Sequence, residues 1–598
     1  MDSKQVARVL EEIAAMLELA GENPFKIRAY ESGARAILAF SGNLEAAVAS
    51  RELLKTPGIG TGLFANVETL VRTGSLPFYD ELRARFPPGL RECLRIPGLG
   101  ARKVKQLHDA LGIDSLAALE SACREGRLAG VKGFGPRSAE KILNGIALVR
   151  SSAGLHRYRR ALGRAEEILE FLRSTGLASS VEIAGSLRRK NPIVRDINIV
   201  AASREPGRLA EAFRNVPGVA AGEAPGPGVF PGNLSEGPCG PPNSLAKTSV
   251  RFPDGLAADL RVVSEEEFPA ALLSFTGSPE HNRQIRERAK ELGMELSERG
   301  LFRTEADGAR IPCAREAEVY AALGLAYTEP ELREGTGEIE AALRAELPAL
   351  VSERDLRGVI HLHTTDSDGR DSLESMVAAA RNAGYSYGAI TDHSKSAGYA
   401  GGLDEERVLA QREEIRSMRR RFPGFRIFHG TEADILADGS IDYGDEFLRV
   451  FDLVVASVHS RFGLSREEQT ARLVRAVGNP LVSVLGHPTG RLLLSREGIA
   501  VDIDAVIDAA ADSGCALEIN CSPQRLDLDW RHCRRAVAKG VPLSIDPDAH
   551  SVAELGLVPL GVGIARKGWV TAAATLNARS ADELVAWLEE RRGEPLPD

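Results

Sequence analysis

The stretch VIHLHTTDSDG, residues 359–369, ends a short apolar run with two histidines and an aspartate. Comparable apolar runs recur down to residue 546, and each ends in further His, Asp or Glu residues. They predict buried strands, and helix-like stretches such as 372–383 and 405–421 separate them. The carboxyl ends of successive parallel strands meet at one mouth of a barrel. We therefore expect nine side chains to converge there: His361, His363, Asp368, His393, Glu432, His459, His487, Asp548 and His550.

Imidazole and carboxylate groups together are ligands that suit Zn, Mn or Fe ions. Two or three such ions in one site can activate water against a phosphate ester. One or two histidines at strand ends are usually ordinary structural residues. Six of the 11 histidines of this chain belong to the one set, in equivalent positions. The pattern therefore favours a multi-metal hydrolytic site.

These motifs resemble the PHP (polymerase and histidinol phosphatase) family of metallophosphoesterases. The resemblance covers roughly residues 355–590, and all nine metal-ligand positions of the family hold ligand-competent residues. It implies a distorted (β/α)7 barrel that binds up to three divalent ions, with Mn²⁺ or Zn²⁺ as the expected metals. The nine residues named above would be the ligands.

The first 150 residues carry three short glycine motifs, each followed by a helical stretch. Glycine permits positive φ and exposes backbone N–H groups at a helix N-terminus, where a phosphate can bind. Repetition at roughly 40-residue spacing, with Lys and Arg downstream, predicts helix-hairpin-helix units that hold DNA by its backbone. Plain packing turns between helices are the alternative. The glycines concerned are Gly58, Gly60, Gly98, Gly100, Gly133 and Gly135.

A further series of motifs, one near the N-terminus and four in the middle of the chain, resembles the DNA polymerases of family X. The series is NPFKIRAY (23–30), GSLRR (185–189), DINIV (196–200), ADLRVV (258–263) and SFTGS (274–278). The resemblance implies an α+β nucleotidyltransferase palm that binds two Mg²⁺ or Mn²⁺ ions for phosphoryl transfer from a dNTP. The implied catalytic residues are Asp196, Asn198 and Asp259, and the implied nucleotide-binding residues are Gly185, Ser186, Arg189, Gly277 and Asn282.

Three positions depart from the family X pattern. Asn198 stands where the family has a second aspartate, so one negative charge is missing and metal binding should weaken. Asn66 stands where members with lyase activity have a Schiff-base lysine, which predicts no lyase activity through that position. Ser274 stands where relatives often have an aromatic residue. In addition, the Gly- and Pro-rich stretch 216–244 predicts a flexible loop.

Composition limits the possible classes of protein. At 598 residues the chain should divide into about three to five domains. It contains no apolar run that could span a bilayer, and its seven scattered cysteines fit a reducing cytoplasm. The net charge of −9 is uneven: residues 1–150 hold 21 Lys and Arg against 17 Asp and Glu, whereas residues 351–598 hold 29 against 38. This division suits a protein that binds DNA at one end and hydrolyses it at the other.

The expected architecture is multidomain. We expect a helical domain with the first hairpin, a helical segment with the other two, a palm, a thumb, a linker and the PHP barrel, at residues 1–80, 81–150, 155–265, 266–330, 331–352 and 353–598. As a whole the chain resembles a bacterial family X polymerase/3′–5′ exonuclease. The resemblance implies a DNA-repair enzyme that trims 3′ ends and fills short gaps in gapped or nicked duplex DNA.

Two other functions remain open at this stage. One is a small-molecule phosphatase, because histidinol phosphate hydrolysis uses the same kind of barrel. The other is a DNA-end-binding protein whose palm has lost its chemistry. For the repair enzyme we expect a cytoplasmic, nucleoid-associated monomer.

Overall fold

The computed structural model describes residues 3–40, 44–219, 246–305 and 308–597. The chain forms two compact units. One is the chain up to Ala153 together with Leu494–Arg496, and the other is the remainder. The predicted loop 216–244 lies, from residue 220 onward, outside the described residues. None of the described helices is both long and apolar enough to cross a membrane.

The described part of the first unit is helical. Apolar residues three and four positions apart give each helix a buried face, as Leu10, Ile13 and Leu17 do in the first helix. Its helices are α1 (Ser3–Ala20), α2 (Pro24–Ala39), α3 (Leu44–Ala49), α4 (Thr61–Thr73), α5 (Pro77–Arg85), α6 (Pro88–Cys93), α7 (Ala101–Leu111), α8 (Leu116–Arg124) and α9 (Pro136–Ser151). They pack around two apolar cores, one made mainly by α1–α5 and the other mainly by α6–α9.

Each predicted glycine motif ends at the N-cap of a helix. Gly60 caps α4, Gly100 caps α7 and Gly135 caps α9. The first glycine of each pair has positive φ: +92° at Gly58, and +75° and +89° at the other two. The motifs therefore form the predicted turns.

The palm is a four-stranded sheet with the order β2-β4-β6-β5. Strands β4 and β6 are parallel and the other neighbours are antiparallel. The elements of this region are β1 (His156–Arg157), α10 (Tyr158–Ser174), β2 (Ser180–Ala184), α11 (Gly185–Arg188), β3 (Ile193–Val194), β4 (Asp196–Ala202), α12 (Pro206–Arg214), β5 (Ala246–Arg251) and β6 (Ala257–Val263).

The next region has three antiparallel strands and four helices. Its elements are α13 (Phe268–Thr276), α14 (Pro279–Glu291), β7 (Met294–Ser297), β8 (Gly300–Arg303), β9 (Arg310–Ile311), α15 (Glu316–Ala322) and α16 (Glu338–Leu343). Segment 331–352, expected as a linker, contains α16 and is packed against this region. Arg333 and Glu338 within it are fully buried.

The C-terminal region is a nearly closed barrel of seven parallel strands in sequence order. The strands are β10 (Gly358–Leu362), β11 (Tyr387–Ile390), β12 (Arg426–Asp434), β13 (Leu453–Ser457), β14 (Val484–Leu485), β15 (Ala516–Asn520) and β16 (Leu543–Asp546). Just beyond β16, the Ala549 N–H donates to the His361 carbonyl oxygen at 3.1 Å, and its carbonyl accepts from the His363 N–H at 2.9 Å. These two bonds join the last strand end to the first. The expected (β/α)7 barrel is confirmed.

Helices cover the outside of the barrel. They are α17 (Leu373–Asn382), α18 (Glu405–Arg421), α19 (Asp445–Leu448), α20 (Arg466–Val477), α21 (Ile503–Ser513), α22 (Trp530–Ala538), α23 (Val558–Lys567) and α24 (Ala581–Arg592). Every residue of β10, β11, β13, β15 and β16 is buried, as expected where helices cover a parallel sheet. The apolar runs of the sequence are these strands.

A buried ion pair joins the 331–352 segment to α15. Arg333 Nη1 lies 2.7 Å from Glu316 Oε1, and Arg333 Nε donates to the Thr328 carbonyl at 2.9 Å. Arg188 donates two further hydrogen bonds to the Glu316 carboxylate. Burial alone would raise the pKa of Glu316, but the two guanidinium groups lower it.

Loss of the Arg333 charge should therefore destabilise this region. We expect Arg333→Met to lower its unfolding free energy by on the order of 3 kcal/mol, because a buried carboxylate loses one of its two partners. Hydrogen exchange of α14 and α15 would measure the local effect. Arg315→Met, which removes an exposed cation paired with Glu318, is the matched control and should leave exchange unchanged. Equal exchange in both variants would contradict the prediction.

Candidate functional site

All nine predicted ligands meet at the carboxyl end of the barrel. His361 lies in β10 and Glu432 in β12, and the other seven follow the ends of their strands. Eight of them form three groups in which one ligand atom per residue lies within 4.8 Å of the others. The ninth, His487, places Nε2 at 3.0 Å from Glu432 Oε1. The groups are His363, Asp368, His393 and His550; His361, His363 and Asp548; and His393, Glu432 and His459.

The ring nitrogens of His363 show that these groups fit cations. Both nitrogens are buried and have no hydrogen-bond partner among the described residues. His363 Nε2 lies 3.3 Å from Asp548 Oδ1 and 3.7 Å from Glu432 Oε2. Two ligand atoms that share one tetrahedral ion are separated by roughly 3.4 Å, given metal–ligand distances near 2.1 Å. Unpaired buried nitrogens are costly, whereas a divalent ion would satisfy them.

The backbone is strained at three of the nine ligands. His361, His487 and Asp548 have φ values of +64°, +25° and +52°, in a region that side chains other than glycine rarely adopt. At His361 the pairing of β10 with β11 shifts register, which redirects the side chain. Such strain costs about 1–3 kcal/mol per residue and is concentrated at functional sites.

Electrostatics prepare the cluster for cations. Burial alone would raise the pKa of Glu432, but the imidazoles of His459 and His361 lower it well below its usual range. Burial, together with the neighbouring His550 and His393, lowers the pKa of His363 to about 3. At neutral pH Glu432 is therefore an anion and His363 a neutral imidazole, which are the protonation states that bind metal.

Two carboxylates that the sequence analysis did not single out orient the ligands. Glu518 Oε1 lies 2.5 Å from His361 Nδ1, and Asp434 Oδ1 lies 2.7 Å from His459 Nδ1. Each fixes which ring nitrogen of its histidine faces the cluster. Both carboxylates lie within strands, in the runs ALEIN and RIFHGTEAD. A carboxylate inside a buried strand is the signal that could have identified them.

Arg525 brings a cation to the rim of this site. Its Nε lies 3.8 Å from Asp548 Oδ2, and its side chain is mostly buried. A guanidinium beside carboxylates and imidazoles can bind a phosphate oxygen. The cluster therefore combines groups for divalent ions with a group for an anionic substrate.

The three predicted catalytic residues of the palm lie close together. Their surroundings carry less negative charge than those of the barrel cluster. Asn198 lies opposite Asp259 in the parallel β4–β6 pair. The Asn198 amide donates to Asp196 Oδ1 at 2.7 Å, and burial and then Asp259 raise the pKa of Asp196. Asp259 accepts a hydrogen bond from the Ser249 hydroxyl and lies 3.5 Å from Lys247 Nζ. The two aspartates are thus accompanied by an amide and an ammonium group.

The predicted nucleotide-binding residues also adjoin one another. Gly185 has φ +64°, and a Cβ there would lie 3.0 Å from Asn198 Nδ2. A Cβ on Gly277 would lie 3.1 Å from Arg189 Nη1, and the Arg189 guanidinium donates to Glu334 Oε1 at 2.9 Å and to the Thr276 carbonyl at 2.6 Å. Ser186 follows Gly185 in α11, and the Asn282 amide donates to the Ser274 carbonyl at 2.7 Å. Arg189 therefore has protein partners on both sides.

The glycine hairpins are open to solvent. A Cβ built on Gly60, or on either glycine of the second and third motifs, would meet no described atom within 4 Å. Neither packing nor positive φ therefore explains Gly60, Gly100 and Gly135, whereas close approach of a ligand to the backbone would. Near the first hairpin, the Asn66 amide donates to the Tyr30 hydroxyl at 2.8 Å, in the place where a lyase would need an amine.

Comparison with known proteins identifies three families along the chain. Residues 1–76 match the family "Helix-hairpin-helix domain", residues 90–147 the "SAM-like Helix-hairpin-helix tandem" and residues 271–334 the "DNA polymerase beta thumb". The DNA polymerase/3′-5′ exonuclease PolX of Bacillus subtilis is 35% identical over 98% of this chain and 100% of its own length. Probable phosphatases of Caldanaerobacter subterraneus and Shewanella halifaxensis are 28% and 29% identical over 40% and 39% of the chain, and 93% and 92% of their own lengths. The predicted hairpins and thumb are confirmed.

The orienting carboxylates lead to a prediction about metal affinity. Asp434→Asn should weaken divalent metal binding by about 10- to 100-fold, because the amide no longer holds His459 with a charged acceptor. Competition with a chelating dye would measure the affinity. Asp438→Asn, an exposed neighbour on the same segment, is the matched control and should not alter it. Equal affinities of the two variants would show that Asp434 does not support the ligand.

Proposed function

The chain belongs to the family of the DNA polymerase/3′-5′ exonuclease PolX, and we propose that it repairs DNA by shortening 3′ ends at the barrel site. The observation that supports this proposal is the cluster of nine His, Asp and Glu residues in a chain that also carries three open glycine hairpins. One polypeptide thus contains a site suited to phosphoester hydrolysis and motifs suited to binding the DNA backbone.

The barrel residues would divide the work of hydrolysis. The nine clustered residues would hold divalent ions, Mn²⁺ or Zn²⁺ and up to three of them, which supply polarisation of the phosphate and activation of water. Glu518 and Asp434 hold His361 and His459 in orientation. Arg525 donates to a phosphate oxygen and so positions the scissile group at the rim.

The glycine hairpins would bind the DNA itself. Backbone N–H groups at the N-termini of α4, α7 and α9 point out of open turns, where phosphates of any sequence can bind. We propose that gapped or nicked duplexes with 3′ ends are the partners. Such DNA lies in the nucleoid, and we therefore predict a nucleoid-associated cytoplasmic location. The monomeric state is a separate prediction.

We propose that the palm synthesises DNA weakly. Two dications need several anionic oxygens, but Asn198 offers only a neutral one and donates its amide to Asp196. Lys247, 3.5 Å from Asp259, adds positive charge where the ions would bind. The two aspartates and the nearby Gly185 turn still suit Mg²⁺ or Mn²⁺ and a dNTP, so greatly reduced gap filling is the expected activity.

A small-ester phosphatase is the second candidate. The probable phosphatases that match 40% of the chain favour it. Three hairpins that are open for DNA have no purpose in such an enzyme, and we therefore place it second.

Shortening of a 5′-labelled strand tests the proposed exonuclease. With added Mn²⁺ we expect stepwise loss of 3′ nucleotides from single strands and gapped duplexes. A chelator should abolish the shortening, and His459→Ala should reduce its rate by at least about 100-fold. A metal ligand contributes more to metal binding than the groups that orient it. His532→Ala removes an imidazole outside the cluster and should retain full activity.

The same assay distinguishes the two candidate functions. If the wild type leaves both DNA substrates intact but releases phosphate from small phosphate esters, the phosphatase replaces the exonuclease. If the two histidine variants lose activity equally, the cluster is not the site.

Restoring the missing carboxylate tests the palm. Asn198→Asp should raise primer extension on a gapped duplex by at least about 10-fold, because one more anionic oxygen would face the two ions. Extension is measured with dNTPs and Mg²⁺ in a His459→Ala background, so that 3′ shortening does not obscure it. Asn198→Ala removes the amide without adding charge and should not increase primer extension. Unchanged extension in Asn198→Asp would show that Asn198 does not limit synthesis.

A further inference from the structure

Tyr399 is an exposed aromatic residue at the rim of the barrel site. Its side chain is 73% exposed, although its ring centroid lies only 6.4 Å from those of both His393 and His459. Large aromatic side chains usually bury their surface, so an exposed ring beside a reactive site marks a contact surface for a ligand.

The backbone under this ring is tightly fixed. Ala397 and Ala400, on either side of Tyr399, are buried. The Ala397 N–H donates to the Ser394 carbonyl at 3.0 Å, and the Ser394 N–H donates to the Glu432 carbonyl at 3.0 Å. A Cβ on Gly402 would lie 1.9 Å from the Ser394 oxygen, so the segment is closely packed. The backbone that carries the ring is therefore fixed relative to the clustered residues.

The hydroxyl group does not explain this placement. Among the described residues, none forms a hydrogen bond with the Tyr399 hydroxyl. The ring faces of the neighbouring imidazoles are tilted or perpendicular to it, at 56° and 74°. One face of Tyr399 is thus left to solvent, and a flat aromatic group can stack on it.

We propose that Tyr399 is the stacking platform for the base of the 3′-terminal nucleotide. The inference rests on the proposed exonuclease function and names the part of the substrate that this site recognises. A phosphodiester held at the clustered ligands carries its nucleoside at the rim, where the exposed ring lies. Every base offers a π-face, so stacking recognises a nucleotide without reading its sequence.

A stacking platform sets the substrate class. Ends that carry a base gain the stacking interaction, whereas an abasic 3′ end or a phosphate ester without an aromatic group does not. We therefore expect the wild type to hydrolyse a normal 3′-terminal nucleotide roughly 5- to 150-fold faster, in kcat/KM, than the same strand ending in a tetrahydrofuran abasic residue.

The test compares both strands with three variants of the full chain. In Tyr399→Ala the preference for the normal end should fall to near one, whereas Tyr399→Phe, which keeps the ring, should retain it. Leu409→Ala, at an exposed apolar residue of α18, is the surface control and should also retain it. An equal loss on both strands in Tyr399→Ala, or a preference that persists, would overturn the proposal.

A binding measurement separates this inference from the exonuclease itself. In the His459→Ala protein, a strand with 2-aminopurine at its 3′ end should lose fluorescence on binding, because the base stacks. Adding Tyr399→Ala should remove this quenching, and adding Tyr399→Phe should preserve it. Quenching that depends on Tyr399, together with a wild type that does not shorten 3′ ends, would support the platform and refute only the exonuclease. Quenching that is the same with and without the ring would overturn the platform.

Discussion

The carboxylate of Glu432 is fully buried in contact with four imidazoles, and the arrangement of the barrel mouth depends on it. Its oxygens lie 2.9–3.3 Å from nitrogens of His361, His393, His459 and His487. Those histidines lie at or just beyond the ends of four different strands. One carboxylate therefore contacts side chains from four strands of the barrel. Its backbone takes part as well, because the Glu432 carbonyl accepts from Ser394 and so fixes the segment that carries Tyr399. A buried charge is tolerated only where opposite charges or metals compensate it. The cluster therefore requires cations, either protons on the histidines or metal ions.

The palm shows the opposite tendency within the same compact unit. Lys567, on barrel helix α23, is buried against Glu334, which also binds Arg189 of the nucleotide turn. Its ammonium additionally donates to the Arg189 carbonyl at 3.0 Å. Arg189 is thus engaged by its own protein, and Asn198 and Lys247 reduce the negative charge where ions would bind. All nine predicted residues of the barrel cluster meet at its mouth, whereas the palm keeps its fold with fewer negative charges at the predicted site.

The sequence predicted those features that depend on residue type and local spacing alone. The convergence of the nine barrel residues could be predicted because histidine after an apolar run is rare, and because strand ends of a parallel barrel meet at one mouth. The glycine hairpins were predictable for a similar reason, since glycine followed by a helix specifies a backbone conformation. Glu518 and Asp434 carry a weaker signal, a carboxylate inside a buried strand, because each acquires its role only from a histidine 157 or 25 residues away. Lys247 was hidden for the same reason. Its approach to Asp259 depends on the register of β5 against β6, which composition does not set. The packing of segment 331–352 likewise depends on partners distant in sequence, among them Arg189 and Glu316.

A division of labour follows from the contrast between the two sites. The hairpins would accept phosphates from any sequence, and stacking on Tyr399 would accept any base, so neither contact would limit where on DNA the protein works. Specificity must then come from the end itself: a free 3′ terminus is the point where a base can leave its neighbours and reach a ring at the rim. Unstacking is least costly at a terminus, which has only one neighbour to lose. A barrel that gains binding energy from the terminal base would favour frayed or mismatched 3′ ends over paired ones, because a paired base must first be released. This property suits an enzyme that prepares ends for repair, and it needs no strong polymerase in the same chain.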